Sequence, residues 1–170
     1  MPFSLFTCLA LTTSIGAQAQ LRIGAQVDGA LLTQRPTSGG VGLTGSLGYE
    51  IPIGGLSLAP ELTVGHSWFA NRYSTRLLRA AAGVRLTLSS QTLAPFVFAH
   101  VGWGYANGLD FDAEQSDHGV AIDGGIGVRY AATKNFALGV QVAYNVLDAA
   151  VESSDPAHWL SLGLQATFTP

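Results

Sequence analysis

The sequence predicts an all-β chain, eight antiparallel strands closing up-and-down into a transmembrane barrel, and three observations carry that prediction. First, apolar and polar residues alternate with a period of two in one segment after another, which marks strands whose faces meet different environments. Second, the charges inside those segments fall on one face only. Third, 11% of the 170 residues are charged, against about 25% in soluble chains, yet past the N-terminus no apolar run approaches the roughly 20 residues of a membrane helix.

The cleanest alternation is the last one, Trp159 to Phe168, with Leu160, Leu162, Leu164, Ala166 and Phe168 on one face and Trp159, Ser161, Gly163, Gln165 and Thr167 on the other. A strand in last position leaves an open edge unless it pairs, and pairing with the first strand closes the sheet. The preceding strands follow in order. Leu21 to Leu31 sets Ile23, Ala25 and Val27 against Arg22, Gln26 and Asp28. Val41 to Ile51 sets Leu43, Leu47 and Tyr49 against Thr44, Ser46 and Glu50. Leu56 to Trp68 sets Leu58, Leu62 and Val64 against Ser57, Glu61 and Thr63.

Leu77 to Leu88 places Arg79 and Arg85 opposite Leu78, Val84 and Leu86. Leu93 to Tyr105 is the least clean, because Phe96 and Phe98 share a face with His100, Gly102 and Gly104. Val120 to Tyr130 sets Asp123 and Arg129 against Ile122, Ile126 and Val128, and Phe136 to Val146 sets Gln141 and Asn145 against Leu138, Val140 and Tyr144. Longer polar loops are expected at Thr33–Gly40, Asn71–Thr75, Asn107–His118 and Asp148–His158. Tight turns are expected at Pro52–Gly55, Ser89–Thr92 and Thr133–Asn135. Long loops on one rim and short turns on the other fit an outer-membrane barrel.

Size and composition bound the rest. The length fits one domain. With 8 Lys+Arg against 11 Asp+Glu, nothing suggests a nucleic-acid partner. Phe3 to Ile15 is apolar and uncharged, and Ala17-Gln18-Ala19 is an A-x-A cleavage site. Residues 1–19 therefore read as a cleaved signal peptide and 20–170 as the barrel, although no Lys or Arg precedes the apolar run. The single cysteine, Cys8, falls in the signal, so disulfides are not expected in the mature chain.

A soluble lipocalin-like barrel and a membrane barrel share this topology and differ in which face points outward. The in-strand charges Arg22, Asp28, Glu50, Glu61, Arg79, Arg85, Asp123 and Arg129 all sit on the Gly/Ser/Thr face, with the two signs balanced. A soluble exterior would carry more charge and less glycine; a narrow lumen suits small residues around a few paired long ones. An arginine facing mid-bilayer lipid costs about 2–4 kcal/mol, so the charge-free face is the outward one. The aromatics agree: Tyr49, Tyr130, Phe136 and Phe168 at the short-turn ends, and Trp68, Trp103, Tyr105 and Tyr144 near the long-loop ends, form two outward girdles.

The chain resembles the small eight-stranded outer-membrane barrels of the OmpA transmembrane-domain or OmpX type. The likeness covers Gln20 to Pro170 in pattern rather than residue by residue. Its most specific piece is terminal: Ser161, Gly163, Ala166 and Phe168 resemble the C-terminal signal read by the barrel-assembly machinery, with departures in the small Ala166 and in Thr169 and Pro170 beyond the aromatic. The resemblance implies insertion into the bacterial outer membrane from the periplasmic side, with lipid and lipopolysaccharide as surroundings, a monomer, and no general diffusion pore.

The candidate functional residues are of two kinds. Arg22, Asp28, Glu50, Glu61, Arg79, Arg85, His100, Asp123 and Arg129 form an expected lumen charge network, with His100 and Asp123 on neighbouring strands. Arg72, Arg76, Asp110, Asp112 and Glu114 are expected at the loop surface, the arginines facing lipopolysaccharide phosphates. The alternating carboxylates at 110–114 invite a calcium reading, but the glycine and closing glutamate of an EF-hand loop are missing, so no metal and no cofactor are expected. A hydrolase would need a histidine paired with a serine or an acid. His66 and Ser67 are adjacent and so face opposite sides of a strand, and no catalytic residues are assigned. The expectation is a non-enzymatic envelope protein acting through modest loops, with no attached receptor- or peptidoglycan-binding domain. A lipocalin-like carrier of an apolar ligand is the alternative, and a lipid-A-modifying acyl hydrolase or transferase comes after it.

Overall fold

The computed structural model describes residues 19–33, 37–70, 74–88, 92–107, 116–149 and 156–170. Residues 1–18, which hold most of the expected signal peptide, lie outside them. The strands are β1 (Gln20–Leu32), β2 (Ser38–Ile53), β3 (Leu56–Phe69), β4 (Arg76–Leu88), β5 (Leu93–Asn107), β6 (Ser116–Ala131), β7 (Phe136–Ala149) and β8 (Ala157–Phe168). Each pairs antiparallel with its sequence neighbour, and the barrel closes between β1 and β8, from Ile23 opposite Phe168 to Leu32 opposite Trp159. The end of the chain is therefore a seam rather than an open edge, and backbone polar groups in the wall find partners without water.

Strands of 12 to 16 residues exceed the 9–11 or so that cross a bilayer at a tilt. The excess lies mainly toward the long-loop rim, where five stretches expected to be loop are strand: Ser38–Gly40 in β2, Asn107 in β5, Ser116–His118 in β6, Asp148–Ala149 in β7 and Ala157–His158 in β8. Small and polar residues there suggested turns, but ladder pairing with Leu31 and Leu32 across β1, and with Tyr105 to Asn107 across β5, holds them extended. At the opposite rim the β2–β3 turn is a two-residue hairpin, Gly54-Gly55, with Ile53 opposite Leu56. Gly54 adopts φ 63°, a conformation open to glycine at no steric cost. The β2–β3 ladder skips between the pairs Gly48–Glu61 and Ile51–Leu58, where Pro60 has no N–H to donate.

The phasing is decisive for environment. Leu162, Leu164 and Ile126 point outward and are 64%, 69% and 64% exposed, while Arg22, Glu61 and Asp123 are buried. The apolar face is the outer one, which is the reverse of a soluble carrier. Tyr49, Tyr130, Phe136 and Phe168 ring one rim, and Trp103, Tyr105 and Tyr144 the other; Trp68 joins the second ring, half-covered. Among the described residues no helix is long and apolar enough to span a membrane; the crossing is made by strands.

The interior is not uniformly polar. At the long-loop end the inward residues Leu32, Phe69, Leu77, Leu147 and Trp159, with Ala30, Ala106, Ala121 and Ala157, form a buried apolar cluster. Residues from seven different strands meet there, and the charged lumen lies below it.

Candidate functional site

The lumen is built as a ladder of ion pairs. Nearest the short turns, Arg129 on β6 forks onto Glu50 on β2, Nη1 and Nη2 each donating at 2.8 Å, and the Ser57 hydroxyl donates to the same carboxylate at 2.8 Å. This two-point geometry fixes direction as well as distance. One level up, Glu61 on β3 gathers two guanidiniums and an imidazole. Its Oε2 accepts from Arg22 Nη1 at 3.0 Å, and its Oε1 meets Arg85 Nη2 at 3.1 Å and His100 Nε2 at 2.8 Å.

His100 continues the ladder, with Nδ1 at 2.7 Å from Asp123. Asp123 accepts from Arg79 Nη1 at 2.8 Å, and Arg79 also donates to the Asn145 side-chain oxygen. The Asn145 amide donates in turn to Ser161 Oγ and to the Trp159 carbonyl, both at 3.2 Å. Asp28, higher on β1, accepts from Gln26 at 3.2 Å. All nine residues of the expected network thus face inward, and all but Asp28 are joined by salt bridges.

Room for the large inward rings comes from the neighbouring strand. The Phe96 and Phe98 rings lie against Gly127 and Gly125, their ladder partners on β6; a Cβ on Gly127 would lie 2.3 Å from Phe96 and 2.5 Å from the Val140 carbonyl. The Arg85 guanidinium lies over the Phe96 ring at 4.3 Å from its centroid, so its charge is held by a carboxylate on one side and a π-face on another. An interior void of about 20 Å³ remains among Gln26, Thr44, Arg79, Arg85, His100 and Gln165. That is about the space of one water molecule.

Sequence reasoning placed Gln26, Asn145 and Gln165 on the inner face without assigning them to the network. Their role depends on which strands meet across the barrel; Arg85 reaches the Gln165 side-chain oxygen at 3.1 Å across 80 positions of sequence. The one available signal was a long amide on an otherwise small-residue face. The apolar cluster above the network was missed for the same reason, since each strand contributes only one or two of its members.

Of the surface candidates, Arg76 opens β4, exposed at the long-loop rim and opposite Trp68. Arg72, Asp110, Asp112 and Glu114 lie outside the described residues. His66 points outward, its ring 4.0 Å from Trp68. His118 lies 5.5 Å from Trp103, and His158 Nδ1 is 2.8 Å from the Tyr144 hydroxyl. These three histidines have aromatic neighbours, and His100 has two carboxylates. Both ring nitrogens of His100 are occupied by carboxylates, Nδ1 by Asp123 and Nε2 by Glu61.

A closed barrel with a lipid-facing apolar wall and two aromatic girdles agrees with the sequence comparison, in which residues 3–168 match the family described as "Outer membrane protein beta-barrel domain". The chain belongs to this outer-membrane barrel family. Its place is accordingly the bacterial outer membrane. No curated protein matches the sequence. Among solved structures, this family member is similar to Neisserial surface protein A at 18% identity and TM-score 0.71, over 89% of this chain and 99% of that one. It is similar to the outer membrane enzyme PagL at 15% identity and TM-score 0.60, over 84% and 98%. The attachment invasion locus protein Ail of Yersinia pestis aligns at 12% identity and TM-score 0.57, over 89% and 97%. At these identities the likeness is one of fold.

Proposed function

We propose that this outer-membrane barrel is a closed, non-enzymatic envelope protein that acts through its outer rim, as a structural element and a surface for interaction. The observation that carries this reading is the filled interior, an ion-pair ladder from Glu50 to Asn145 roofed by the Leu147–Trp159 apolar cluster. An eight-stranded barrel is just wide enough for side chains to fill it. The ladder cross-links opposite walls and so stiffens the cylinder, and the roof keeps bulk water from the ion pairs. What is left to present to the surroundings is the rim, where Arg76 and the loops meet lipopolysaccharide and the medium. Two fold neighbours are a Neisserial surface protein and an attachment invasion protein, which favours a surface role. PagL is an enzyme; the His100–Asp123 pair at 2.7 Å supplies the histidine and acid that a hydrolase needs, but the other ring nitrogen of His100 is taken by Glu61 at 2.8 Å rather than by a serine. Insertion is assigned to the barrel-assembly machinery, through the β8 residues Ser161, Gly163, Ala166 and Phe168.

The test is conductance. The mature chain, reconstituted singly in planar bilayers, is expected to show no steady open level, whereas replacing Leu147 and Trp159 together by serine is expected to admit ions as far as the ladder and raise flickering events. A stable open channel in the unaltered protein would overturn the closed-lumen reading.

A further inference from the structure

The lipid-facing wall is indented at more than one place, and one of the indentations leads toward a charged residue. Where β8, β1 and β2 run side by side, the outward residues Ala166, Ala25 and Gly45 lie in register, Ala25 being paired with both of the others. Their outward neighbours along the strands, Val27, Leu43 and Leu164, are large. The small residues floor an apolar groove of about 550 Å³ that is bounded on its far side by Val64 and Leu78 and reaches His66 at its outer end. This volume is in the roughly 300–1,000 Å³ range of ligand clefts.

One outward step further along the same strands, the chemistry changes. Val41, Trp68 and Arg76 are paired across β2, β3 and β4, and with Ser74 they border a second recess of about 640 Å³. Arg76 is exposed there and, among the described residues, has no salt bridge. An apolar trough thus runs toward the membrane interface, and a cationic, hydroxyl-bearing recess lies one step beyond its outer end, at the level of the Trp68 girdle.

We propose that groove and recess together form a binding site for one acylated, phosphorylated glycolipid of the outer leaflet, of the lipid A class. One acyl chain lies over Gly45 and Ala25, and a phosphate is held by Arg76. The proposal rests on the reading above that the long-loop rim faces outward. Charge complementarity selects this occupant: a second copy of the chain would set Arg76 against Arg76, and an uncharged apolar ligand would leave the arginine without a partner. The outer position of the recess selects the leaflet.

The groove can be filled without disturbing the wall, since a Cβ on Gly45 meets no atom within 4 Å. Refolded mature protein in detergent would be titrated with purified lipid A, and in parallel with phosphatidylglycerol, and the bound species counted by native mass spectrometry. One lipid A adduct is expected. Gly45→Leu should weaken it about tenfold, the equivalent of about 1.4 kcal/mol, and Arg76→Ala about fivefold, as for a partly exposed ionic contact. Ala99→Leu, outward on β5 at the far side of the barrel, should leave it unchanged. Folding of every variant is read from its electrophoretic mobility with and without boiling, so a folded Gly45→Leu protein that binds like the parent would overturn the site, as would the absence of any adduct. Equal binding of phosphatidylglycerol would overturn the choice of lipid A. The conductance result is independent of all of these, so a channel-forming protein with an intact lipid adduct would count against the closed lumen and not against the groove.

Discussion

Replacing Glu61 should be the most damaging single change within the lumen charge network. Its carboxylate is 1% exposed and touches Arg22, Arg85 and His100 at 3.0, 3.1 and 2.8 Å. Removing one partner of a buried ion pair costs about 3–5 kcal/mol, because the remaining charge stays desolvated and alone. Glu61→Ala strands two guanidiniums and an imidazole at once. Asp123 still holds His100, and the Phe96 ring and Gln165 still hold Arg85, so the three losses do not simply add. We expect about 4 kcal/mol, or roughly a thousandfold in the unfolding constant. Glu61→Gln keeps the shape and an acceptor oxygen and should cost about half as much, since hydrogen bonds to charged groups are worth about 1.5–3 kcal/mol each. The Glu50–Arg129 pair, at 18% and 17% exposure, is partly solvated, and Glu50→Ala should cost about 1–2 kcal/mol. The assay is urea unfolding of the folded barrel in lipid vesicles, followed by tryptophan fluorescence, with reversibility checked by refolding. A Glu61→Ala loss below about 1 kcal/mol, or one smaller than that of Glu50→Ala, would refute the idea that the network is desolvated.

Leu162→Arg, at an outward mid-wall position, should cost about 2–4 kcal/mol in the same assay; a neutral result would mean that this position does not face lipid. Gly127→Ala should cost about 1–3 kcal/mol by overpacking, and combining it with Phe96→Ala should restore only part of the loss, because the Val140 carbonyl also crowds the new methyl. Full rescue would show that the ring alone sets the limit. Trp159→Ala should remove about 3–5 kcal/mol through the cavity it leaves in the roof, read as a lowered urea midpoint with the boiling shift retained.

The wall was legible in the sequence because a strand between lipid and lumen must alternate, and one residue out of step would turn a charge into the bilayer. Leu160 to Phe168 and Val120 to Tyr130 show this without help from their neighbours. The strand that read poorly, Leu93 to Tyr105, did so because Phe96 and Phe98 are large apolar residues on the inner face. Their partners Gly127 and Gly125 explain them, and that pairing needs the register. Partners across the lumen were hidden for a further reason: Arg79 with Asn145, or Arg129 with Glu50, are brought together by closure, and no local spacing encodes closure. Strand ends were misjudged at Ser38–Gly40 because above the membrane the lipid no longer imposes alternation, while the ladder still imposes extension. The groove over Gly45 was invisible for the opposite reason, since on one strand a small outward residue is a minor lapse and only three in register make a shape.

The roof of Leu32, Phe69, Leu77, Leu147 and Trp159 has a consequence for how this surface can change over time. Because the seal is made by strand residues below the connections, the segments above it carry no duty to keep the cylinder shut. Under the closed-lumen reading they are free to drift in length and composition, whether under immune pressure or in the hands of an engineer grafting a foreign epitope, while the cell beneath keeps its permeability barrier.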